Sequence, residues 1–172
     1  MSQPAANAPA DTPQLAAFRR RLLDPLKQRV FLLSQLPAAG LAGVRVQQLS
    51  FGAATVTVPF KFLTKNPFRS IYFACQSMAA EMASGVLAMM HTSTGAPVSM
   101  LVVGMEASFH KKAVTRVAFE CTDGEVIAQA IAESRATGEG RTVRATSTGR
   151  DASGDVVAVF HITWSFRAKN RA

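Results

Sequence analysis

One carboxylate lies in the middle of a long apolar segment of this sequence. Glu81 and Glu106 are the only formal charges between Arg69 and Lys111. A carboxylate in apolar surroundings loses its hydration, which raises its pKa unless a partner or water compensates. Such groups cluster at functional sites, where they act as general bases or nucleophiles. Glu81 is therefore the first candidate catalytic residue, and the alternative is a structural carboxylate paired with an arginine at a subunit interface.

A second candidate, Asn66, lies in the loop over residues 64–67 that precedes this segment. An Asn before proline is also a common turn residue, and taken alone Asn66 favours a turn.

Other enzyme classes lack their signatures in this chain. There is no glycine-rich phosphate loop before a helix and no Gly-x-Ser-x-Gly elbow. The three histidines, His91, His110 and His161, have no metal-ligand spacing, and a lone strand histidine such as His161 is more often structural. The cysteines, Cys75 and Cys121, each lie in an apolar stretch, which disfavours a disulfide framework and favours a reducing compartment.

A long helix over residues 70–91 must position Glu81. This segment is apolar on nearly every side, which is typical of a membrane span or of a helix buried in a core. A carboxylate near the middle of a bilayer would cost about 3 kcal/mol. We therefore expect a core helix wrapped by a sheet and no membrane span.

Strand signals lie on both sides of this helix, and a shorter helix is expected over residues 125–137, capped by Asp123 and ended by Gly138. The six predicted strands cover residues 44–47, 54–60, 98–110, 113–122, 141–148 and 156–166. Hairpins without βαβ alternation favour a mostly antiparallel sheet packed on one helix, which is an α+β fold.

The N-terminal part is expected to be a disordered leader over residues 1–12, followed by a helical segment over residues 13–36. Asp24 and the proline after it should kink or restart this helix, and Gly40 should lie in a loop. One apolar stripe, opposite the arginines, is predicted from Leu15, Phe18, Leu22, Leu26, Val30 and Leu33. The helix is suited to covering a sheet edge, mediating assembly or touching a membrane.

Length and charge set the remaining limits. With 172 residues, 48% of them hydrophobic, the chain is long enough for one domain with a buried core. A net charge of +8 attracts nucleic acid, anionic lipid or a phosphorylated small molecule. No zinc-finger or RNA-binding pattern is present, so we expect no nucleic acid. The N-terminus lacks the features of a secretory signal, and a cytoplasmic location is expected.

The region around Asn66 and Glu81 resembles the signature of hotdog-fold acyl-CoA thioesterases of the phenylacetate-pathway type. In that family an Asn or His opens the loop, a Gly-Gly pair starts the helix, and an Asp or Glu follows on the helix. The similarity continues through the sequences FHKKA, GR and DASGDVVA at residues 109–113, 140–141 and 151–158. It implies a hotdog domain over residues 40–168, and the run NPFRSIYFA is most similar to a branch without an assigned function.

The resemblance implies hydrolysis of acyl-CoA thioesters. Backbone N–H groups around Phe73 and Ala74, at the helix start, would polarise the thioester carbonyl. Glu81 would activate water or attack directly, and Asn66 would orient the water or the carbonyl. In this family the site lies at a dimer interface, so the two residues are expected to come from different subunits of a homodimer or a dimer of dimers.

Binding residues are also implied by the resemblance. Lys111, Lys112 and Arg116 are the candidates for binding the phosphates of coenzyme A, which enters as part of the substrate; no other cofactor and no metal is expected. Some members carry a Ser or Thr about eighteen residues after the acid. Counting forward from Glu81 gives Ser99 at this position, whereas aligning backward from Ala113 gives Val102.

The chain departs from the family at the helix start, where Phe73-Ala74 replaces the glycine pair and crowds the approach of a substrate. This departure supports an alternative, a hotdog protein that binds acyl chains or acyl-CoA without hydrolysing them. A third hypothesis, nucleic-acid binding through the basic surface, predicts a steep dependence of affinity on salt.

Overall fold

The structure, a computed structural model, describes residues 12–169, so the predicted leader lies outside the described residues apart from Thr12. The helices are α1 (Pro13–Leu23), α2 (Pro25–Gln35), α3 (Pro37–Ala42), α4 (Phe73–Thr92) and α5 (Gly124–Thr137). The strands are β1 (Arg45–Leu49), β2 (Ala54–Val58), β3 (Val98–Phe109), β4 (Val117–Cys121), β5 (Arg141–Arg150) and β6 (Val156–Ala168).

The six strands form one antiparallel sheet in the order β1-β2-β4-β5-β6-β3. Alternate side chains of β4, β5 and β6 are buried, as expected where one face of a sheet packs on a core. The predicted α+β class and the largely antiparallel sheet are confirmed.

The long helix α4 is the core of the fold, as predicted. It packs against five of the six strands and against α5, and small residues such as Ala79 and Ala83 are fully buried. Ser147 Oγ donates a hydrogen bond of 2.7 Å to the Ala80 carbonyl, which ties the helix to β5. Within residues 12–169, no helix has the length and apolarity needed to cross a bilayer.

α4 begins three residues later than the predicted start at residue 70. Ile71 instead pairs with Lys65 in an isolated bridge, and its N–H donates to the carbonyl of Ala113 at 2.8 Å. The backbone of Ile71 is therefore bonded to Ala113 and Lys65, and α4 begins only after it.

The single apolar stripe predicted for the N-terminal segment is wrong. Asp24 adopts an extended conformation that ends α1, and its carboxylate accepts the N–H groups of residues 26 and 27 to begin α2. This break changes the phase of the helix, so α2 buries Gln28 and Leu32. Three residues of the predicted stripe are instead exposed: Leu26, Val30 and Leu33.

Three smaller expectations also fail. Gly40 lies within the short helix α3 and not in a loop. Asp123 does not cap α5 with its side chain; its carboxylate accepts the Thr146 N–H at 2.6 Å from the neighbouring strand. The strand predicted over 113–122 begins only at Val117.

β3 is an edge strand that is apolar on both faces. Among residues 12–169 it pairs with β6 alone, and its alternation shifts at a bulge between Val102 and Gly104. Its four large exposed side chains are Leu101, Val103, Met105 and Phe109, each at least 50% exposed. An edge strand of this kind leaves backbone groups and apolar surface uncovered within one chain.

Candidate active site

Glu81 lies near the middle of α4, on a half-buried face of the helix. Its neighbours on this face, Ala74, Ser77 and Met78, are half-buried, as is Glu81 itself. Within residues 12–169 its carboxylate forms no hydrogen bond and no ion pair, and burial raises its pKa. A carboxylate with a raised pKa and no partner can accept a proton or attack a carbonyl carbon.

Gly85 and Trp164 lie close to this carboxylate. A Cβ at residue 85 would lie 3.2 Å from Glu81 Oε1 and 3.4 Å from Cζ2 of the indole. The indole N–H donates to Ser84 Oγ at 2.9 Å, and this hydroxyl donates to the Glu81 carbonyl at 3.1 Å. Gly85 and Trp164 were not predicted as site residues. A glycine four residues after an acid on one helix face is a pattern that could have indicated space for the carboxylate.

The N-terminus of α4 is open. Its N-cap residue, Tyr72, forms no capping hydrogen bond with its side chain, and the N–H groups of Phe73 and Ala74 have no partner in the described part of the chain. The Phe73 ring is 54% exposed and packs edge-on against the Tyr72 ring. Free N–H groups at a helix start can stabilise a developing oxyanion.

Asn66 organises the turn that leads to α4. Its Oδ1 accepts the N–H groups of Phe68 and Ser70 at 3.0 and 3.1 Å, and its Nδ2 donates to Ser70 Oγ at 3.1 Å. The turn also holds Arg69 at a φ of 60°. The Asx-turn interpretation therefore applies, although one of the two Nδ2 hydrogens has no partner among residues 12–169.

Within one chain, the helix start and Glu81 lie about two turns apart along α4. Eight residues of α-helix separate Phe73 from Glu81, which corresponds to about 12 Å along the helix axis. Oxyanion donors and an attacking group must both lie about 3 Å from the reacting carbonyl. Glu81 and the helix start are therefore two separate candidate positions along one helix.

Ser99 is not brought to Glu81. It pairs with Arg167 across β3 and β6, and its hydroxyl donates to the Arg167 carbonyl at 3.1 Å. The next residues of the two strands, Met100 and Phe166, point to the face that packs on α4. Because side chains alternate along a strand, Ser99 lies on the opposite face.

The three candidate cations differ in their surroundings. Lys111 Nζ bonds Asp151 at 2.7 Å and Asp155 at 2.5 Å, and these bonds raise the pKa of Lys111 and lower that of Asp151. In the described residues, Lys112 and Arg116 form no ion pair, and both are exposed.

Arg116 lines a cleft of about 400 Å³ together with Arg150, which was not predicted from the sequence, and with Asp151, whose carboxylate is bonded to Lys111. Two guanidinium groups at one cleft favour an anion such as a phosphate. The sequence separation of 34 residues hides this pair, because only the pairing of β4 with β5 brings the two arginines together.

Comparisons with known proteins agree with this fold. The crystal structure of a protein of unknown function from Pseudomonas aeruginosa, also described as a "Probable Thioesterase", matches with a TM-score of 0.72 at 21% sequence identity. The match covers 84% of this chain and 97% of that chain. A thioesterase from Haemophilus influenzae has a TM-score of 0.62 at 14% identity, over 87% and 92%. A thioesterase family protein from Silicibacter pomeroyi has a TM-score of 0.59 at 15% identity, over 84% and 98%. At these identities the similarity shows the hotdog fold, as the sequence resemblance implied.

No curated protein matches the chain. One family model does, over residues 28–166, which include α4, α5 and all of the sheet except the last two residues of β6. The chain therefore belongs to the family described as a domain of unknown function, DUF4442.

Proposed function

We propose that this protein hydrolyses acyl-CoA thioesters. The observation that carries the proposal is the Glu81 carboxylate, which is half-buried on an apolar helix, has no partner within residues 12–169 and has a raised pKa. Burial without a partner destabilises a carboxylate, and such an arrangement favours a catalytic role over a structural one.

In the proposed reaction, the thioester carbonyl oxygen binds at the start of α4. The N–H groups of Phe73 and Ala74 stabilise the negative charge that develops on this oxygen. Glu81 takes a proton from an attacking water, or it attacks the carbonyl carbon itself and water then hydrolyses the acyl-enzyme. The carbon–sulfur bond breaks, coenzyme A leaves as a thiol, and the acid is released. Asn66, with one Nδ2 hydrogen that has no partner among residues 12–169, would orient the water or the carbonyl.

The site is completed by a second copy of the chain. Because about 12 Å of helix separates Glu81 from Phe73, the carboxylate of one subunit would act with the helix start of its partner. The uncovered surface of β3 supports this assembly: the strand has a free edge, and Leu101 is 65% exposed. Pairing of two such edges around a twofold axis would bury this apolar surface in both subunits.

The phosphates of coenzyme A would bind Lys112, Arg116 and Arg150. Lys111 is already bonded to two carboxylates, which reduces its capacity to bind a further anion. The apolar side chains around the helix start, including Phe68 at 74% exposed and Tyr72 at 45%, would contact the acyl group.

The test is release of free thiol from short, medium, long and aromatic acyl-CoAs, with Glu81→Gln measured beside the parent. Glu120→Gln, an exposed carboxylate on β4, is the matched control. We expect the Glu81 variant to lose at least about a hundredfold in turnover while the control keeps the parental rate. Equal rates in both variants would exclude Glu81 from the reaction.

A second candidate function is binding of acyl-CoA without hydrolysis. It is favoured by Phe73, whose exposed ring lies where related thioesterases have glycine. Under this alternative no acyl-CoA is turned over, and the affinity of the parent for acyl-CoA is unchanged in Glu81→Gln.

A further inference from the structure

The outer face of α2 is apolar and exposed. Leu26, Val30 and Leu33 are 72%, 61% and 45% exposed. At 100° per residue these three positions lie within about 60° of one another on the helix. Two cations, Lys27 and Arg29, flank them along α2.

Contacts on the opposite side of α2 keep these three side chains exposed. Gln28 is buried, and its Nε2 donates to the carbonyls of Leu22 and Val46 at 2.8 and 2.9 Å. Leu32 is only 1% exposed on the same side. These contacts fix the orientation of α2 about its axis. A rotation that buried the outer aliphatic side chains would break two buried hydrogen bonds.

The two helices that form this region are basic. Residues 12–35 contain five Lys and Arg residues but a single acid, Asp24, whose side chain caps α2. In the described part of the chain, neither Lys27 nor Arg29 forms an ion pair. Leu26 and Val30 of this face also line a groove of about 1170 Å³ between α1 and α2, together with the cations Arg20, Arg21 and Lys27.

We propose that the outer face of α2 binds the surface of a bilayer containing anionic phospholipid. Exposed aliphatic side chains with flanking cations fit the boundary between acyl chains and negatively charged headgroups. A second copy is a poor occupant, because the same face on two subunits would bring like charges together. Nucleic acid is also a poor occupant, because Leu and Val offer neither hydrogen bonds nor stacking to bases.

The test is co-sedimentation of the full-length protein with vesicles of phosphatidylcholine alone or mixed equally with phosphatidylglycerol. We expect binding to the mixed vesicles only. Val30→Asp should abolish it, whereas Val126→Asp, at a valine 55% exposed on α5, should not. Replacing Lys27 and Arg29 together by Gln should weaken binding about thirtyfold, since each cation near such a surface contributes about 1 kcal/mol.

Three results would overturn this proposal: equal binding to both kinds of vesicle, equal loss in the two Asp variants, or a Val30→Asp variant that changes only the oligomeric state. Thermal unfolding of each variant checks that the fold is intact. Thiol release measured without vesicles should be the same in Val30→Asp and the parent, so failure of membrane binding is distinguishable from failure of the proposed hydrolysis.

Discussion

The Glu81 carboxylate lies over the backbone of Gly85, with Oε1 3.2 Å from the position that a Cβ would occupy there. The same position lies 3.4 Å from the Trp164 ring, which is buried and held by its hydrogen bond to Ser84. Because residue 85 is glycine, the Glu81 carboxylate can occupy this position without a tight contact to a side chain. Because the ring is fixed and the carboxylate is the end of a flexible chain, an added methyl group would move the carboxylate.

Gly85→Ala should accordingly separate activity from stability. Alanine is more favourable than glycine within a helix by about 0.5–1 kcal/mol, which offsets the tighter contacts. We expect the free energy of unfolding to change by less than about 1 kcal/mol, and thioester turnover to fall about tenfold to a hundredfold because the carboxylate is displaced. Gly140→Ala, at a position with open space, is the control for both measurements. Parental turnover in Gly85→Ala would show that the resting position of Glu81 is not the reactive one.

The raised pKa of Glu81 predicts a stability that depends on pH. Its ordinary value is 4.5, and burial raises the pKa in the folded state only. The contribution of this residue to stability is therefore fully present below the ordinary pKa and is lost as pH rises through the raised pKa. Glu81→Gln, which cannot ionise, should gain stability relative to the parent over this interval.

Urea unfolding of the parent and Glu81→Gln at a series of pH values measures this difference. The two curves should converge at low pH and separate as pH rises. Turnover by the parent should fall in acid with a midpoint above the usual range of a Glu carboxyl, since Glu81 must be ionised to react. A constant stability difference at all pH values would mean that the carboxyl has the same pKa in the folded and unfolded states.

Periodic patterns in the sequence predicted the fold because they are local. α4 is predicted by a long apolar run with small residues, and each strand by its own alternation. The single N-terminal stripe failed because one extended residue, Asp24, changes the phase of the helix that follows it. The extended ψ angle of Asp24 cannot be recognised from the spacing of Leu26, Val30 and Leu33 in the sequence.

The site was predicted less completely because its contacts join distant segments. Trp164 and Ser84 are 80 residues apart, and Lys111 meets Asp151 across 40 residues. Neither pair has a periodic signal, since the pairing of whole strands brings the partners together. Glu81 could be selected as a candidate because an isolated charge in an apolar run can be recognised without any knowledge of its neighbours.

The three candidate phosphate-binding cations should behave differently when they are replaced. Lys111→Ala should leave the KM for acyl-CoA close to that of the parent, because this lysine is bonded to Asp151 and Asp155. Lys112→Ala and Arg116→Ala should raise KM several-fold with kcat retained, since they remove binding that is equal in the ground and transition states. Steady-state thiol release at varied acyl-CoA concentration separates the two outcomes. A KM raised only in Lys111→Ala would reverse the assignment.

The open helix start offers a test of the oxyanion donors. Proline at residue 73 removes one N–H group but fits the first position of a helix. The preceding residue, Tyr72, already has φ −59° and ψ 135°, which suits a residue before proline. Phe73→Pro should therefore keep the fold and lower kcat about a hundredfold, whereas Phe73→Ala keeps the N–H group and should retain turnover. Loss of activity in the alanine variant alone would assign the role to the ring.

Mixing two inactive variants tests whether the site is shared between chains. In a twofold dimer of Glu81→Gln with Phe73→Pro, one site carries both changes and the other carries neither. If Glu81 acts with the helix start of its partner, subunit exchange should restore about a quarter of the parental activity, because half of the dimers are mixed and each has one intact site. If both groups act within one chain, every site in the mixture carries a substitution and no activity returns. Thiol release after mixing, compared with each variant alone, distinguishes the shared site from the single-chain site.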